Sequence, residues 1–147
     1  MKSFTGNFTQ QEGIPDSAIN KAIEVMRSGR LHRYNVDIGE KAEATQLELE
    51  FAQYQGSTFC LACASGGYAM QLALASIGLE HNEPVLTNAF TLSPVPGAIH
   101  NVGAKPVLVE TTDQLVIDLD DLDKKIRSSD ARVFLLSHMR GHIVDME

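Results

Sequence analysis

The stretch FCLACASGGYAMQLALASIGL, residues 59–79, constrains the fold of this chain more than any other part of the sequence. It opens with a short apolar run, breaks at the residues SGG, resumes with helix-like spacing and stops at Gly78. This order predicts a strand, a tight turn and a helix. The adjacent Gly66 and Gly67 permit backbone conformations that other residues avoid, and they let another molecule approach the main chain. N–H groups at the start of such a helix attract a phosphate or carboxylate, although a plain strand-to-helix turn explains the glycines equally well.

The pattern that begins there continues as an alternation of strands and helices. Short apolar runs predict strands at 58–62, 84–87, 106–110 and 132–137. Helical spacing predicts helices at 67–77, 94–101 and 119–126. Strands that alternate with helices pair in parallel through right-handed crossovers, and continuous apolar runs are typical of strands covered on both faces. The sequence therefore predicts an α/β fold with a mainly parallel sheet.

The first part of the chain has a different pattern. A polar arm at 1–15 precedes two segments with helical spacing, which end at Gly29 and Gly56. No strand pattern interrupts these helices, whereas strands and helices alternate further on. We therefore predict an N-terminal arm with helices over 1–56 and an α/β portion over 57–147.

Charge and hydropathy exclude several classes of protein. The 147 residues include 19 acidic and 12 basic side chains, with a net charge of -7 and no cluster of Lys and Arg, so we expect no nucleic-acid partner. No apolar run approaches the ~20 residues that a membrane span needs, and the N-terminus lacks the apolar core of a secretory signal. Two cysteines make no disulfide framework. We therefore predict a cytoplasmic protein that has no membrane partner.

Three groups of residues have the composition of metal sites, and a structural explanation suits each of them better. Cys60 and Cys63 are a single C-x-x-C pair, and two ligands do not make a zinc site. The acidic run at 118–123 lacks the glycine and glutamate of an EF-hand loop, but it suits a helix start capped by its first aspartate. His138 and His142 follow a predicted strand and have a glycine between them, which predicts a loop. We therefore predict no metal ligand in this chain.

Five segments follow one another in an order and at a spacing that are typical of one family. They are LELEFAQYQG (47–56), ASGGYAMQLALASIGL (64–79), TNAFTLSPVPGAIHNVGAKPVLVE (87–110), IDLDDLDKKI (117–126) and SHMRGHIVDME (137–147). Together they resemble the DegT/DnrJ/EryC1/StrS family of pyridoxal-phosphate-dependent sugar aminotransferases, over nearly the whole chain from about Met26 onward. The resemblance implies a three-layer α/β/α fold in which the α/β portion is an incomplete part of the large, cofactor-binding domain.

The resemblance also implies which residues bind pyridoxal 5'-phosphate. The family's Ser-Gly-Thr-Ala turn falls on Ser65, Gly66, Gly67 and Tyr68, whose backbone N–H groups would hold the cofactor phosphate. Gly67 stands where the family has threonine. The aromatic residue that packs on the pyridine ring in the family falls on Leu92, which offers an apolar but non-aromatic face.

Two groups that the family's chemistry needs are missing from these 147 residues. The lysine that binds the cofactor covalently, and the aspartate that pairs with the pyridine nitrogen, lie downstream of the equivalent of Glu147. None of the six lysines of this chain lies in a matching motif. His138 and Gly141 do match the family's loop after the fourth strand. We therefore predict no catalytic residue here, and we expect the chain by itself to be inactive.

Different functions follow from these observations. In the first, the chain is the N-terminal portion of an aminotransferase that transfers an amino group, from glutamate, to a nucleotide-linked keto-sugar. In the second, it is a non-catalytic fragment that acts as a dimerisation or interaction module. A third, a mononucleotide-binding α/β domain, is disfavoured because ASGGYA lacks the G-x-G-x-x-G spacing.

The resemblance also implies how the sheet is assembled. In the family's fold the second, third and fourth predicted strands pair with one another, while the first, 58–62, pairs with a strand from further along the chain. Without that neighbour, its open backbone groups invite pairing with another chain. We therefore expect a homodimer rather than a stable monomer with the family's sheet, or else a sheet in which 58–62 pairs with 132–137.

Overall fold

A computed structural model describes residues 5–7, 9–34 and 36–146. The chain divides into two compact units, one extending to Ala62 and the other beginning at Cys63. The assignment of 1–56 as an N-terminal arm with helices, and of 57–147 as part of a cofactor-binding domain, stays a prediction. Parts of three predicted segments lie outside the described residues: positions 1–4 and 8 of the N-terminal arm, position 35 between the first two helices, and Glu147 of the last motif.

Two helices form the regular part of the first unit. They are α1, Asp16–Ser28, and α2, Glu43–Gln55. Each ends at a glycine in the left-handed conformation, Gly29 with φ 70° and Gly56 with φ 67°, where a residue with a side chain would be strained. Both helices and both ends were predicted from the sequence, and the structure confirms them.

The strand predicted at 58–62 is wrong. These residues have no regular secondary structure, and the side chains of Phe59 and Leu61 are 86% and 61% exposed, so burial does not drive this apolar run into a sheet. Glu48 of α2 holds the end of the segment instead. Its carboxylate accepts the N–H of Ala62 at 2.8 Å and the guanidinium of Arg33 at 2.9 Å. The hydrogen bond from Ala62, followed by that from Arg33, holds the pKa of the Glu48 carboxyl below its usual range.

A three-stranded parallel sheet is the centre of the second unit. Its strands are β1, Pro84–Asn88, β2, Lys105–Val109, and β3, Val133–Leu135, in the spatial order β2-β1-β3. Leu86 of β1 lies opposite Val107 on one side and Phe134 on the other. The structure confirms the three predicted strands and their mutual pairing, although β3 is shorter than predicted.

Helices cover both faces of this sheet. They are α3, Gly66–Ser76, α4, Pro94–Asn101, and α5, Leu119–Ser129. Val85 and its neighbours on one face pack in a core with Leu74 of α3 and Ile99 of α4. Leu86 points to the opposite face, in a second core that includes Leu122 of α5. Alternate residues of a strand point to opposite faces, so these two cores produce the predicted three-layer α/β/α arrangement.

The acidic run at 118–123 begins a helix, as predicted. Asp118 caps α5, because its Oδ1 accepts the N–H groups of Asp120 at 2.9 Å and Asp121 at 3.1 Å. Within the described part of the chain, no group of three or more His, Cys, Asp or Glu side chains is arranged to hold a metal ion. Cys60 and Cys63 form no disulfide there. No helix in that part is both long and apolar enough to cross a lipid bilayer.

Candidate functional site

The candidate site lies at the carboxyl edge of the sheet. Parallel strands end at the same edge, and in open α/β sheets this is where ligands bind. The loop at 89–93 follows β1, and the loop at 136–142 follows β3. The start of α3 lies at the same edge, since a Cβ atom added at Gly67 would be 3.4 Å from the Cβ of Pro94, the first residue of α4. Two helix starts and two loops therefore meet there.

The first turn of α3 offers hydrogen-bond donors. Ser65 caps the helix: its Oγ accepts the N–H of Tyr68 at 3.2 Å, and its carbonyl accepts the N–H of Ala69 at 3.0 Å. The N–H groups of Gly66 and Gly67 have no hydrogen-bond partner among the described residues. Because the helix dipole adds positive potential at this end, two open donors beside an exposed serine suit an anion.

The role of the two glycines differs from the expected one. Neither Gly66 nor Gly67 has a positive φ, and both lie within α3, so neither adopts a conformation that other residues avoid. A Cβ atom at Gly66 would meet nothing within 4 Å, whereas one at Gly67 would contact Pro94. The starts of α3 and α4 therefore lie close together at Gly67, where an added Cβ would be in ordinary van der Waals contact with Pro94, and the N–H of Gly67 stays open.

The loop after β1 presents an apolar side chain and an unsatisfied hydroxyl. Leu92 is 60% exposed, so its side chain is not part of the core. The Oγ1 of Thr91 is buried and has no hydrogen-bond partner in the described structure. An unsatisfied buried hydroxyl costs about 1–3 kcal/mol, and the Oγ1 of Thr87 in β1 is unsatisfied in the same way.

Asn88 joins the two loops, and sequence reasoning missed it. This last residue of β1 is 3% exposed. Its Nδ2 donates to the carbonyls of Phe90 at 2.8 Å and Ser137 at 3.0 Å, and its Oδ1 accepts the N–H of Ser137 at 2.9 Å. The only signal in the sequence was an amide side chain at the end of a buried strand. His138, next to Ser137, is exposed at the surface of the second loop.

No lysine belongs to either loop or to the first turn of α3. In the second unit, Lys105 begins β2 at the opposite edge of the sheet, and Lys124 and Lys125 lie on α5. The ammonium of Lys125 pairs with Asp121 at 2.8 Å and also donates to the carbonyl of Leu108. The hydrogen bond from the N–H of Glu110, followed by that from Lys125, lowers the pKa of the Asp121 carboxyl. These groups stabilise the fold of the unit rather than facing the candidate site.

Comparisons with known proteins point to one family. The model of the DegT/DnrJ/EryC1/StrS aminotransferase family matches residues 14–147. A dTDP-3-amino-3,4,6-trideoxy-alpha-D-glucose transaminase of Micromonospora megalomicea subsp. nigra is 31% identical over 109 residues, which are 74% of this chain and 29% of that protein. A pleiotropic regulatory protein of Geobacillus stearothermophilus is 28% identical over 139 residues, which are 94% of this chain and 35% of that protein.

Solved structures share the fold. Spr1654 from Streptococcus pneumoniae, in its PLP form, matches with a TM-score of 0.77 and 22% sequence identity, over 90% of this chain and 32% of that one. This chain therefore spans about a third of the length of the proteins that it matches.

Proposed function

This chain belongs to the DegT/DnrJ/EryC1/StrS aminotransferase family, and from that premise we propose that it is the N-terminal portion of a pyridoxal-phosphate-dependent enzyme. The enzyme would transfer an amino group from glutamate to a nucleotide-linked keto-sugar. The observation that carries the proposal is the pair of open N–H groups at Gly66 and Gly67, at the position of the family's phosphate-binding turn. The name of the 31% identical transaminase, which contains a dTDP-sugar, supports the substrate class.

The residues of the first turn of α3 suit the phosphate end of the cofactor. The N–H groups of Gly66 and Gly67 would each donate to a phosphate oxygen. The Oγ of Ser65 accepts from Tyr68, which leaves its own hydroxyl hydrogen for a further phosphate oxygen. The dipole of α3 would stabilise the negative charge, typically by about 0.3–1 kcal/mol.

The loop after β1 suits the ring end of the cofactor. Pyridoxal phosphate, when bound, supplies the electron sink that amino transfer needs. Leu92 would cover one face of the pyridine ring with its exposed isobutyl group and would exclude water from that face. The buried hydroxyl of Thr91, which has no partner among the described residues, would gain one from a polar group of the ligand.

These 147 residues alone are proposed to have no transaminase activity. Their lysines do not lie in the family's motif, and none belongs to the two loops or the helix start of the site. To test this, the polypeptide is incubated with pyridoxal phosphate and reduced with borohydride, and any pyridoxyl adduct is mapped. We expect scattered, substoichiometric labelling without turnover. A single stoichiometric adduct on one lysine, together with turnover, would refute the proposal.

The function of the whole protein is tested by the DNA beyond codon 147. An in-frame continuation that carries a lysine in a family-like motif supports the aminotransferase, and the protein expressed from it should consume glutamate in the presence of a nucleotide-linked keto-sugar. Failure of that protein to bind pyridoxal phosphate would contradict the proposal. The cytoplasmic location expected from the sequence stays a prediction.

A second candidate function is a non-catalytic module that forms a homodimer. The observation that favours it is a set of large apolar side chains that the first unit leaves exposed, including Phe51 at 48%, Tyr54 at 82% and Phe59 at 86%. The rings of Phe51 and Tyr54 are neighbours, with centroids 6.2 Å apart, and exposed apolar surface of this kind is typical of interaction sites. Sedimentation of the polypeptide at low micromolar concentration tests this candidate, and a monomer under those conditions would contradict it.

A further inference from the structure

The side chain of Asn88 replaces a backbone group in the pairing of β1 with β3. The regular pairing of these strands ends at Thr87 and Leu135. Beyond it, the amide of Asn88 both donates to and accepts from the backbone of Ser137, as a peptide group of a neighbouring strand would. The connection between the two strands therefore continues past the end of β3 through one side chain.

The same amide also holds the loop that follows β1. Its Nδ2 donates to the carbonyl of Phe90, two residues before Leu92, and its bonds to Ser137 reach the residue next to His138. Only an amide supplies both donors and an acceptor at this size, since a carboxylate accepts only. One buried side chain therefore sets the spacing between the loop that bears Leu92 and the loop that bears His138.

We propose that Asn88 is a positioning residue, which holds these two loops at the separation that the ring of the cofactor requires. This inference rests on the proposed function. The phosphate end is held differently, because the first turn of α3 is fixed by the Ser65 cap and by its packing against Pro94. Loss of the Asn88 amide should therefore weaken binding of the ring and leave binding of a phosphate unchanged.

The test compares two ligands on the 147-residue chain and its variants. Pyridoxal phosphate and inorganic phosphate are each titrated against the wild type, Asn88→Asp, Asn88→Ala and a control, Asn101→Asp, at the exposed last residue of α4. We expect both Asn88 variants to bind pyridoxal phosphate roughly tenfold more weakly, because hydrogen bonds that fix the loops are lost. Affinity for inorganic phosphate should stay within about twofold, and the control should match the wild type for both ligands.

Hydrogen exchange at Ser137 tests the geometry without any ligand. Asn88→Asp keeps an oxygen that accepts the Ser137 N–H, whereas Asn88→Ala removes it. We expect the Ser137 amide to exchange on the order of tenfold faster in Asn88→Ala and close to the wild-type rate in Asn88→Asp. Asn88→Asp has nearly the shape of the native side chain, so it carries the ligand test if Asn88→Ala does not fold.

The outcomes separate this inference from the proposed function. Equal losses of affinity for both ligands would overturn the positioning role, and so would unchanged binding of pyridoxal phosphate or unchanged exchange at Ser137 in Asn88→Ala. A wild-type chain that binds inorganic phosphate but not pyridoxal phosphate would also overturn the positioning role, because these residues would then not form the ring end of the site. The proposed function would be contradicted separately, by a protein expressed from the continued reading frame that fails to bind pyridoxal phosphate.

Discussion

The two edges of the sheet in the second unit differ in how their polar groups are satisfied. At the amino edge, Arg132 donates to the carboxylate of Glu83 at 2.6 Å and to the carbonyl of Gly78 at 2.9 Å, and Glu83 also accepts the N–H of Glu80 at 2.7 Å. At the carboxyl edge, the N–H groups of the first two residues of α3 and the hydroxyl of Thr91 have no partner among the described residues.

This difference suggests that the polar groups of the amino edge stabilise the fold, whereas the open groups of the carboxyl edge are free to bind a ligand. Satisfied polar groups add to the stability of the fold, whereas unsatisfied donors retain the capacity to bind a ligand. Local rules of structure are commonly broken at functional sites and kept elsewhere. Changes at Gly67 and Leu92 should therefore alter ligand affinity with little loss of stability, and changes at Arg132 and Glu83 should do the reverse. Asn88 is the exception at the carboxyl edge, because its amide is fully hydrogen-bonded.

The largest expected effect is a loss of ligand affinity when Gly67 is replaced. Replacement by alanine adds a Cβ in ordinary contact with Pro94, but replacement by valine adds two further methyl groups where the helix starts are already close. We expect Gly67→Val to weaken binding of inorganic phosphate and pyridoxal phosphate by on the order of tenfold to a hundredfold, because the open N–H groups are displaced or covered. Isothermal titration of the wild type, Gly67→Ala and Gly67→Val measures this, with Gly67→Ala between the other two.

Gly97→Val is the matched control for this substitution. Gly97 also lies in the first turn of a helix, α4, and a Cβ there would meet nothing within 4 Å. The control should keep the affinity of the wild type. If Gly67→Val keeps it too, the turn at Ser65–Tyr68 is not the anion site, and the contrast between the two edges loses its functional meaning.

The next largest effect is a gain in affinity for pyridoxal phosphate when Leu92 is replaced by phenylalanine. The family carries an aromatic side chain at this position, and an aromatic ring stacked on a ligand ring contributes about 0.5–1.5 kcal/mol beyond area burial. We expect Leu92→Phe to bind pyridoxal phosphate roughly twofold to tenfold more tightly and inorganic phosphate equally well. Ile126→Phe, at a comparably exposed position of α5, is the control. Equal gains for both ligands would argue against a ring-facing role for Leu92.

Helix ends could be predicted because local chemistry determines them. Gly29 and Gly56 end their helices in the left-handed conformation, Asp118 caps α5, and Pro94 begins α4. Each of these residues acts within one turn of its own position, so the sequence pattern contains the whole cause. The strand predicted at 84–87 is likewise confirmed as β1, and Val85, Leu86 and Thr87 within it are buried.

Features that depend on distant residues could not be predicted in the same way. The apolar run at 58–62 has the composition of a strand, but a strand also needs a neighbouring backbone, which composition does not provide. The closeness of Gly67 to the start of α4 depends on Pro94, which lies 27 positions further along the chain. The bonds of Asn88 to Ser137 span 49 positions, so they became visible only with the fold.

A smaller effect is expected at Arg132, on the amino edge. Arg132→Met removes the donors to Glu83 and to the end of α3 while it keeps an apolar stem of similar length. We expect the melting temperature to fall by a few degrees and the affinity for pyridoxal phosphate to stay unchanged. Arg127→Met, which breaks a more exposed pair with Asp123, is the control and should lower the melting temperature less. A loss of ligand affinity in Arg132→Met would contradict the idea that the amino edge affects stability alone.

The smallest effect is the response of the amino edge to acid. The hydrogen bond from Glu80, followed by that from Arg132, lowers the pKa of the Glu83 carboxyl in the folded state. A lowered pKa means that this group stabilises the fold above its unfolded pKa of about 4.3, and that the contribution is lost as the pH falls through the folded value.

Two variants separate the causes of the lowered pKa. Arg132→Met keeps the hydrogen bond from the Glu80 N–H, which is the larger cause, so the loss of stability in acid should become smaller without disappearing. Glu83→Gln removes the carboxyl group and should abolish this contribution. Thermal melts of the three proteins between about pH 3 and pH 7 measure the difference. The same pH dependence in all three would assign the acid response to other carboxylates, such as Asp121, and the amino edge would then be stabilised by hydrogen-bond geometry rather than by the charge of Glu83.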